Sequence, residues 1–186
     1  MQALDALLNR VSVARLGAPA PDATQRERLL RAALRVPDHA QLRPWRFIEI
    51  EGPGLVALGA LFAEALEARN PQATPAELDK ARGMPLRAPL MLVVVASPKE
   101  HAKVPRDEQL QSAACAAHAV LLAAHAQGIG AIWRTGEMAS DPRVAAGLGL
   151  AAHEQILAFL YLGTPLGPLR QPQALAVEDF LVRWNG

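Results

Sequence analysis

Three arginine-bearing segments hold the residues of this sequence best suited to chemistry. Arg10 is followed by Val11 and Ser12, then by Val13-Ala14-Arg15. Arg35 leads into Val36-Pro37-Asp38-His39-Ala40-Gln41-Leu42-Arg43-Pro44-Trp45-Arg46-Phe47. Arg134 stands between Trp133 and Thr135, with Gly136 beyond. A guanidinium presents its N–H donors as a planar fork. Beside a hydroxyl this suits a phosphomonoester, which accepts bidentate, charge-assisted hydrogen bonds. Taken singly, an arginine is more often a solvated surface charge, and one at a helix C-terminus also complements the helix dipole. Composition does not say whether the three segments converge.

Other chemistries find less support. Cys115, His118 and His125 share one face of a long helical segment, but a metal needs ligands converging within about 2.0–2.3 Å of one point. The two histidines are two turns apart, roughly 10 Å at 1.5 Å per residue, and no carboxylate joins them. They read as polar residues at a helix contact or surface, and Cys115 as a small buried apolar residue. No GxGxxG follows a strand, and there is no GxxxxGK[ST], GxSxG or HExxH. Gly128-Ile129-Gly130 lacks a third glycine and enters a strand rather than a helix.

The elements that must position these groups can be read from composition and periodicity. The chain has 186 residues, 51% of them hydrophobic, with 19 Lys+Arg against 18 Asp+Glu for a net charge of +1. That length fits a single domain spanning residues 1–186, and the even charge balance argues against nucleic acid or an anionic membrane as partner. One cysteine excludes an internal disulfide. The first residues lack a basic and then apolar leader, so the expected location is cytoplasmic. Helices are expected over Gln2–Asn9, from Asp22 or Thr24 to about Val36, over Leu55–Ala68, from a Thr74-Pro75-Ala76-Glu77 cap, and from about Asp107 to Gln127. Strands are expected over Trp45–Glu51, Leu90–Ala96, Ala131–Trp133 and Ile156–Leu162, the last ended by Gly163. Ser140-Asp141-Pro142 starts another short helix. Phe180, Val182 and Trp184 alternate like a strand at the end of a proline-rich tail, an apolar arm suited to packing on another subunit or folding back on its own chain. One sheet with helices on both faces, α+β or α/β, is the class that follows.

Four stretches, in this order, resemble the nitroreductase family, in particular its short bacterial NAD(P)H-dependent members. They are Leu8-Asn9-Arg10-Val11-Ser12; Arg35-Val36-Pro37-Asp38-His39 with Arg43-Pro44-Trp45-Arg46-Phe47; Gln127-Gly128-Ile129-Gly130-Ala131-Ile132-Trp133-Arg134-Thr135-Gly136; and Phe159-Leu160-Tyr161-Leu162-Gly163-Thr164-Pro165. The likeness covers almost the whole chain. It implies an α+β fold with a central, mostly antiparallel sheet flanked by helices. It also implies an intertwined homodimer that holds FMN in a groove at the subunit interface.

Carried over by position, the resemblance makes Arg10, Val11 and Ser12 the phosphate and ribityl contacts. It makes Arg35 and His39 flavin-facing residues from the partner subunit, and Trp133, Arg134 and Thr135 a second flavin-contacting run. The stretch Ala123, Ala124, His125, Ala126, Gln127 and Gly128 matches one linked to the nicotinamide nucleotide. Two departures stand out: the family often has a second basic residue where Val11 stands, and Gln where Arg43 stands. Arg43 adds a charge that would favour an anionic substrate or simply point to solvent. The implied activity is reduction of a nitroaromatic or quinone-like small-molecule electron acceptor, with NAD(P)H as donor. No nucleophile or acid–base dyad is needed, because the flavin carries the redox chemistry. Reduction of an activated alkene or carbon–halogen bond, a non-catalytic flavin-binding or redox-sensing module, and a purely structural dimer are the rival readings.

Overall fold

A run in which every residue is apolar has no face to offer water, so it must lie between two layers, and Leu90–Ala96 does. In the computed structural model, which describes residues 2–186, the elements follow in this order: α1 (Ala3–Asn9), β1 (Leu16–Gly17), α2 (Ala23–Ala33), β2 (Trp45–Glu51), α3 (Pro53–Arg69), α4 (Pro75–Gly83), β3 (Leu90–Ala96), α5 (Arg106–Ala126), β4 (Gly130–Arg134), α6 (Glu137–Ser140), α7 (Pro142–Gly147) and β5 (Gln155–Pro165). Every residue of β3 is at most 3% exposed. Its side chains alternate between two cores, as a pleated strand requires. Leu90, Leu92, Val94 and Ala96 join α2 and α5 on one face. Met91, Val93 and Val95 join Leu55, Leu58 and Phe62 of α3 on the other. Each such buried Val or Leu contributes about 1.5–3 kcal/mol.

All strand pairings are antiparallel. β2 lies beside β3 in the register Trp45↔Ala96 to Glu51↔Leu90. On its other edge β3 meets β5. β5 also pairs with β4, Gly130↔Gly163 to Arg134↔Phe159, and through Thr164 and Pro165 with the two-residue β1. The fold is therefore α+β, with one five-stranded sheet and helices on both faces.

Local signals explain most boundaries. Of the two competing caps for α2, Asp22 prevails: its Oδ1 accepts from Gln25 N at 2.8 Å, and Gln25 Oε1 accepts from Asp22 N at 2.9 Å. Thr74 and Glu77 form the reciprocal box that opens α4. The inward face of α5 is built of Ala113, Ala116, Ala117, Val120 and Ala124, all 0% exposed. Small side chains there let α2 and the sheet approach closely.

Three sequence expectations change. β5 does not stop at Gly163 but runs through it to Pro165. A Cβ on Gly163 would sit 2.7 Å from Pro89 Cδ and 2.8 Å from the Gly17 carbonyl, so the missing side chain is what lets β1 and β5 close. Cys115 is exposed rather than buried, because its position falls opposite the alanine face of α5. The tail forms no strand: it holds only a tight turn at Val177–Asp179 and, among the described residues, pairs with none of the five strands. Phe180, Val182 and Trp184 are 75%, 91% and 89% exposed. Among the described residues no helix is long and apolar enough to cross a membrane, and no group of three or more His, Cys, Asp or Glu is arranged to hold a metal.

Candidate functional site

α1 ends where Arg10 turns extended, its N–H donating to the Ala6 carbonyl at 3.2 Å. The chain then runs beside β4, tied to it by Val13 N donating to Ala131 O at 2.9 Å. That bond sets Arg10, Val11 and Val13 against Leu121, His125, Gly128 and Ile129 in a slot of about 20 Å³. Val13 and Leu169 also line the adjoining cleft, of about 410 Å³, together with Ser12, Arg15, Ile132 and Arg170. His125 Nε2 is buried with no hydrogen-bond partner, as is Gln127 Oε1. Buried polar atoms are ordinarily satisfied. His125 lines the slot beside Arg10 and marks it as a place that a ligand or water would complete, while Gln127 lines a separate pocket with Pro19 and Thr164 and Trp45 Nε1 is a third such atom.

The arginines divide into two groups. Arg26, Arg31, Arg46, Arg69 and Arg82 each pair with a carboxylate at 2.6–2.8 Å. Among the described residues the other eleven form no ion pair, Arg10, Arg15, Arg35, Arg134 and Arg170 among them. The cations singled out from the sequence are thus not the ones that staple the fold. Arg15 and Arg170 were missed as site candidates. Arg15 stands next to the Arg10–Ser12 segment, but nothing local in Pro168-Leu169-Arg170 announces that it returns to that cleft.

At the end of β4, Trp133 is half-buried against the α2–α5 core. The Arg134 guanidinium lies 6.0 Å from the centre of the Tyr161 ring, at the outer limit of a cation–π contact. Burial pushes the Tyr161 hydroxyl pKa up, and the charges of Arg87 and Arg134 oppose that rise. Thr135 is exposed, and Gly136, at φ +65°, turns the chain into α6. In the nucleotide candidate stretch Ala124 faces the core at 0% exposure. Ala123 also packs there, while Ala126 is exposed and His125 and Gly128 line the slot.

Arg35 and His39 lie elsewhere. Arg35 follows α2 and is exposed. His39 sits in the tight turn after it and is held by Glu108, Nδ1 to Oε1 at 2.7 Å. Glu108 is in the first turn of α5 and His125 in the last. Seventeen residues at 1.5 Å each separate them by about 25 Å. A single protomer thus brings together Arg10, Val11, Ser12, His125 and Gly128 near β4, and leaves Arg35 and His39 at the far end of α5. Arg43 is exposed at φ +49°, its N–H donating to Asp38 Oδ2 at 2.7 Å.

Residues 7–164 match the model of the nitroreductase family. The chain is 45% identical over 179 residues, 96% of each chain, to a protein of Escherichia coli K12 provisionally named NAD(P)H nitroreductase YdjA. It is 35% identical over 97% of its length, and 98% of the relative's, to a protein of Haemophilus influenzae carrying the same provisional name without a symbol. Among solved structures, a nitroreductase-like family protein from Bacillus cereus superposes with a TM-score of 0.85 at 20% identity, covering 100% of this chain and 97% of that one. A nitroreductase with bound FMN from Bacteroides fragilis superposes with a TM-score of 0.76 at 19% identity, covering 99% and 100%.

Proposed function

The chain belongs to the nitroreductase family, and from that premise we propose that it is an NAD(P)H-dependent FMN oxidoreductase acting on nitroaromatic or quinone-like acceptors. The observation that carries the proposal is the division of the cationic residues between the two ends of α5. Arg10 and Ser12 gather at one end, and His39 is held by Glu108 about 25 Å along the helix at the other, with Arg35 four residues before it. Among the described residues Arg10, Arg35 and Arg134 form no ion pair. One chain offers two half-sites, and a second copy would complete each. The exposed apolar residues that a second copy would cover are present: Leu4, Leu7 and Leu8 on α1, and Phe180, Val182 and Trp184 in the tail.

The residues fit the group. Arg10, Arg15 and Arg170 supply charge-assisted donors, and Ser12 a hydroxyl, for a phosphate on a flexible chain. The orphaned His125 Nε2 beside Arg10 is a polar atom in need of such a partner. Ile132 supplies apolar surface for a ring on the cleft side of β4, while Trp133, one residue on, points to the opposite face of the sheet, toward the α2–α5 core. When bound, FMN supplies the reversible two-electron chemistry by which hydride from NAD(P)H reaches the acceptor.

The chain's own groups have three tasks. Arg10 and Ser12 hold the phosphate. Arg134, with Arg35 from the other copy, places positive charge where negative charge grows as the ring is reduced, and in a partly dry site such preorganised charge is worth more than in water. Ile132, which lines the cleft with Ser12 and Arg15, keeps water from one side of the ring. No side chain has to act as nucleophile.

The test is direct. Purified protein reconstituted with FMN is expected to be yellow, to be bleached by NAD(P)H without oxygen, and to oxidise NAD(P)H faster when a nitroaromatic is added. A protein that takes up no FMN ends the proposal. A yellow protein that NAD(P)H does not bleach is a flavin-binding module instead.

A further inference from the structure

The segment from Asp38 to Arg43 concentrates backbone strain. Ala40, Gln41 and Arg43 lie at φ 59°, 53° and 49°, and among the described residues no other non-glycine residue has positive φ. Left-handed backbone costs a residue with a Cβ about 1–2 kcal/mol, and such positions persist where the surroundings over-determine them. Two contacts do so here. Asp38 closes the turn on itself: its Oδ2 accepts from Arg43 N at 2.7 Å and its carbonyl from Gln41 N at 3.1 Å. Glu108 reaches from the first turn of α5, 69 residues away in sequence, to His39 Nδ1 at 2.7 Å. Between the two contacts the strained turn holds out a single imidazole.

A carboxylate can only accept, so the hydrogen at that contact belongs to Nδ1. In the neutral ring Nε2 then carries the lone pair, and among the described residues it has no partner. We infer that Glu108 is a positioning residue for flavin binding. It fixes the Nδ1–H tautomer and the ring orientation of His39, so that Nε2 meets an N–H of the flavin ring as an acceptor. The inference rests on the FMN reading above and adds a residue to it. A glutamate in the first turn of α5 also complements the helix dipole, a role that would not depend on His39, and that difference decides the test.

Apoprotein is titrated with FMN for wild type, Glu108→Ala, Glu108→Gln, His39→Ala and the Glu108→Ala/His39→Ala double variant. Glu108→Ala is expected to weaken FMN binding about tenfold, one hydrogen bond's worth. Glu108→Gln keeps affinity within about threefold, because its amide oxygen still accepts from Nδ1–H. His39→Ala loses about as much as Glu108→Ala, and the double variant no more than either, which a purely structural role would not produce. Nitrogen NMR of the apoprotein, about two units above the ordinary imidazole pKa, should show the Nδ1–H form of His39 in wild type and a shift toward Nε2–H in Glu108→Ala.

Unchanged FMN affinity in Glu108→Ala, or an equal further loss when it is added to His39→Ala, overturns the inference while wild-type binding upholds the FMN reading. A wild-type protein that binds no FMN overturns both. An unaltered tautomer in Glu108→Ala overturns the positioning role whatever the flavin does.

Discussion

The two ends of α5, a helix of 21 residues, are built on opposite principles. Its C-terminal end is closed by apolar packing and by the absence of side chains. Gly163 admits Pro89 and the Gly17 carbonyl, and Gly130 lies against Leu16 and Pro165. Its N-terminal end is held by polar contacts: Glu108 to His39, Arg106 to Gln155 at 2.7 Å, and the neighbouring Arg46 to Glu154 at 2.7 and 2.8 Å. A packed end fixes its groups at any pH. A charged end can be loosened where Glu154 takes up a proton, and the strained His39 turn is tied to the same end through Glu108. If both ends contribute to one ligand, a rigid half-site from one protomer meets an adjustable half-site from the other.

Breaking the packed end should have the largest effect. Gly163→Val forces a branched side chain onto Pro89 and the Gly17 carbonyl, and overpacking of this kind costs about 1–3 kcal/mol or more. A lower urea midpoint measures it, with FMN retention falling alongside because β1 and β4 shift together. Arg10→Ala and Arg134→Ala should each weaken FMN binding by about 1.5–3 kcal/mol, a charged hydrogen bond's worth. Fluorescence titration reads this, and unchanged affinity in both variants would remove the phosphate and ring roles assigned to them.

Acid should distinguish the ends next. The hydrogen bonds from Arg46, then those from Ala151 N and Ser97, hold the Glu154 carboxyl at about 2, below its ordinary value of 4.5. A group whose pKa is lowered on folding stabilises above its unfolded value, and that stabilisation is lost as pH falls through the folded one. Wild type should therefore lose stability relative to Glu154→Gln between about pH 4.5 and pH 2, and amide exchange should rise first near Arg46, Gln155 and Arg106. A stability gap that stays constant over that range would mean that Glu154 does not hold this end. The smallest effect is expected at the strained turn. Ala40→Gly relieves a left-handed residue but frees the unfolded chain, so stability should change by no more than about 1 kcal/mol. FMN affinity should nevertheless fall as His39 gains freedom.

The sequence displays the scaffold better than the site, for physical reasons. Trp45–Glu51 and Leu90–Ala96 were legible to the residue because side-chain patterning is local: partial alternation marks a strand in one, an unbroken apolar run marks a doubly covered strand in the other. The cap of α2 was legible as a choice, and the Asp22–Gln25 pair decided it. The tail misled because alternation in Phe180, Val182 and Trp184 is necessary for a strand but supplies no partner. Cys115 misled because residue type says less about burial than position on the helix does. Arg10, Arg35 and Arg134 stood out as candidates, and the resemblance put Arg35 on the partner subunit, but nothing local showed that α5 is the element that sets them apart. Nor was the His39–Glu108 contact legible, since its partners are 69 residues apart. The left-handed turn at Ala40, Gln41 and Arg43 carries no glycine or asparagine to announce it.

The central claim is that one ligand site draws on both ends of α5 from different copies of the chain, and subunit mixing tests it most directly. Arg10→Ala and Arg35→Ala chains are co-expressed with different tags, the mixed dimer is isolated, and its FMN content and affinity are measured. A shared site predicts one FMN per mixed dimer at wild-type affinity, because one of its two sites then receives both native arginines, while each parent homodimer binds weakly. A mixed dimer that binds no better than its parents, or two chains that do not associate at all, would contradict the account.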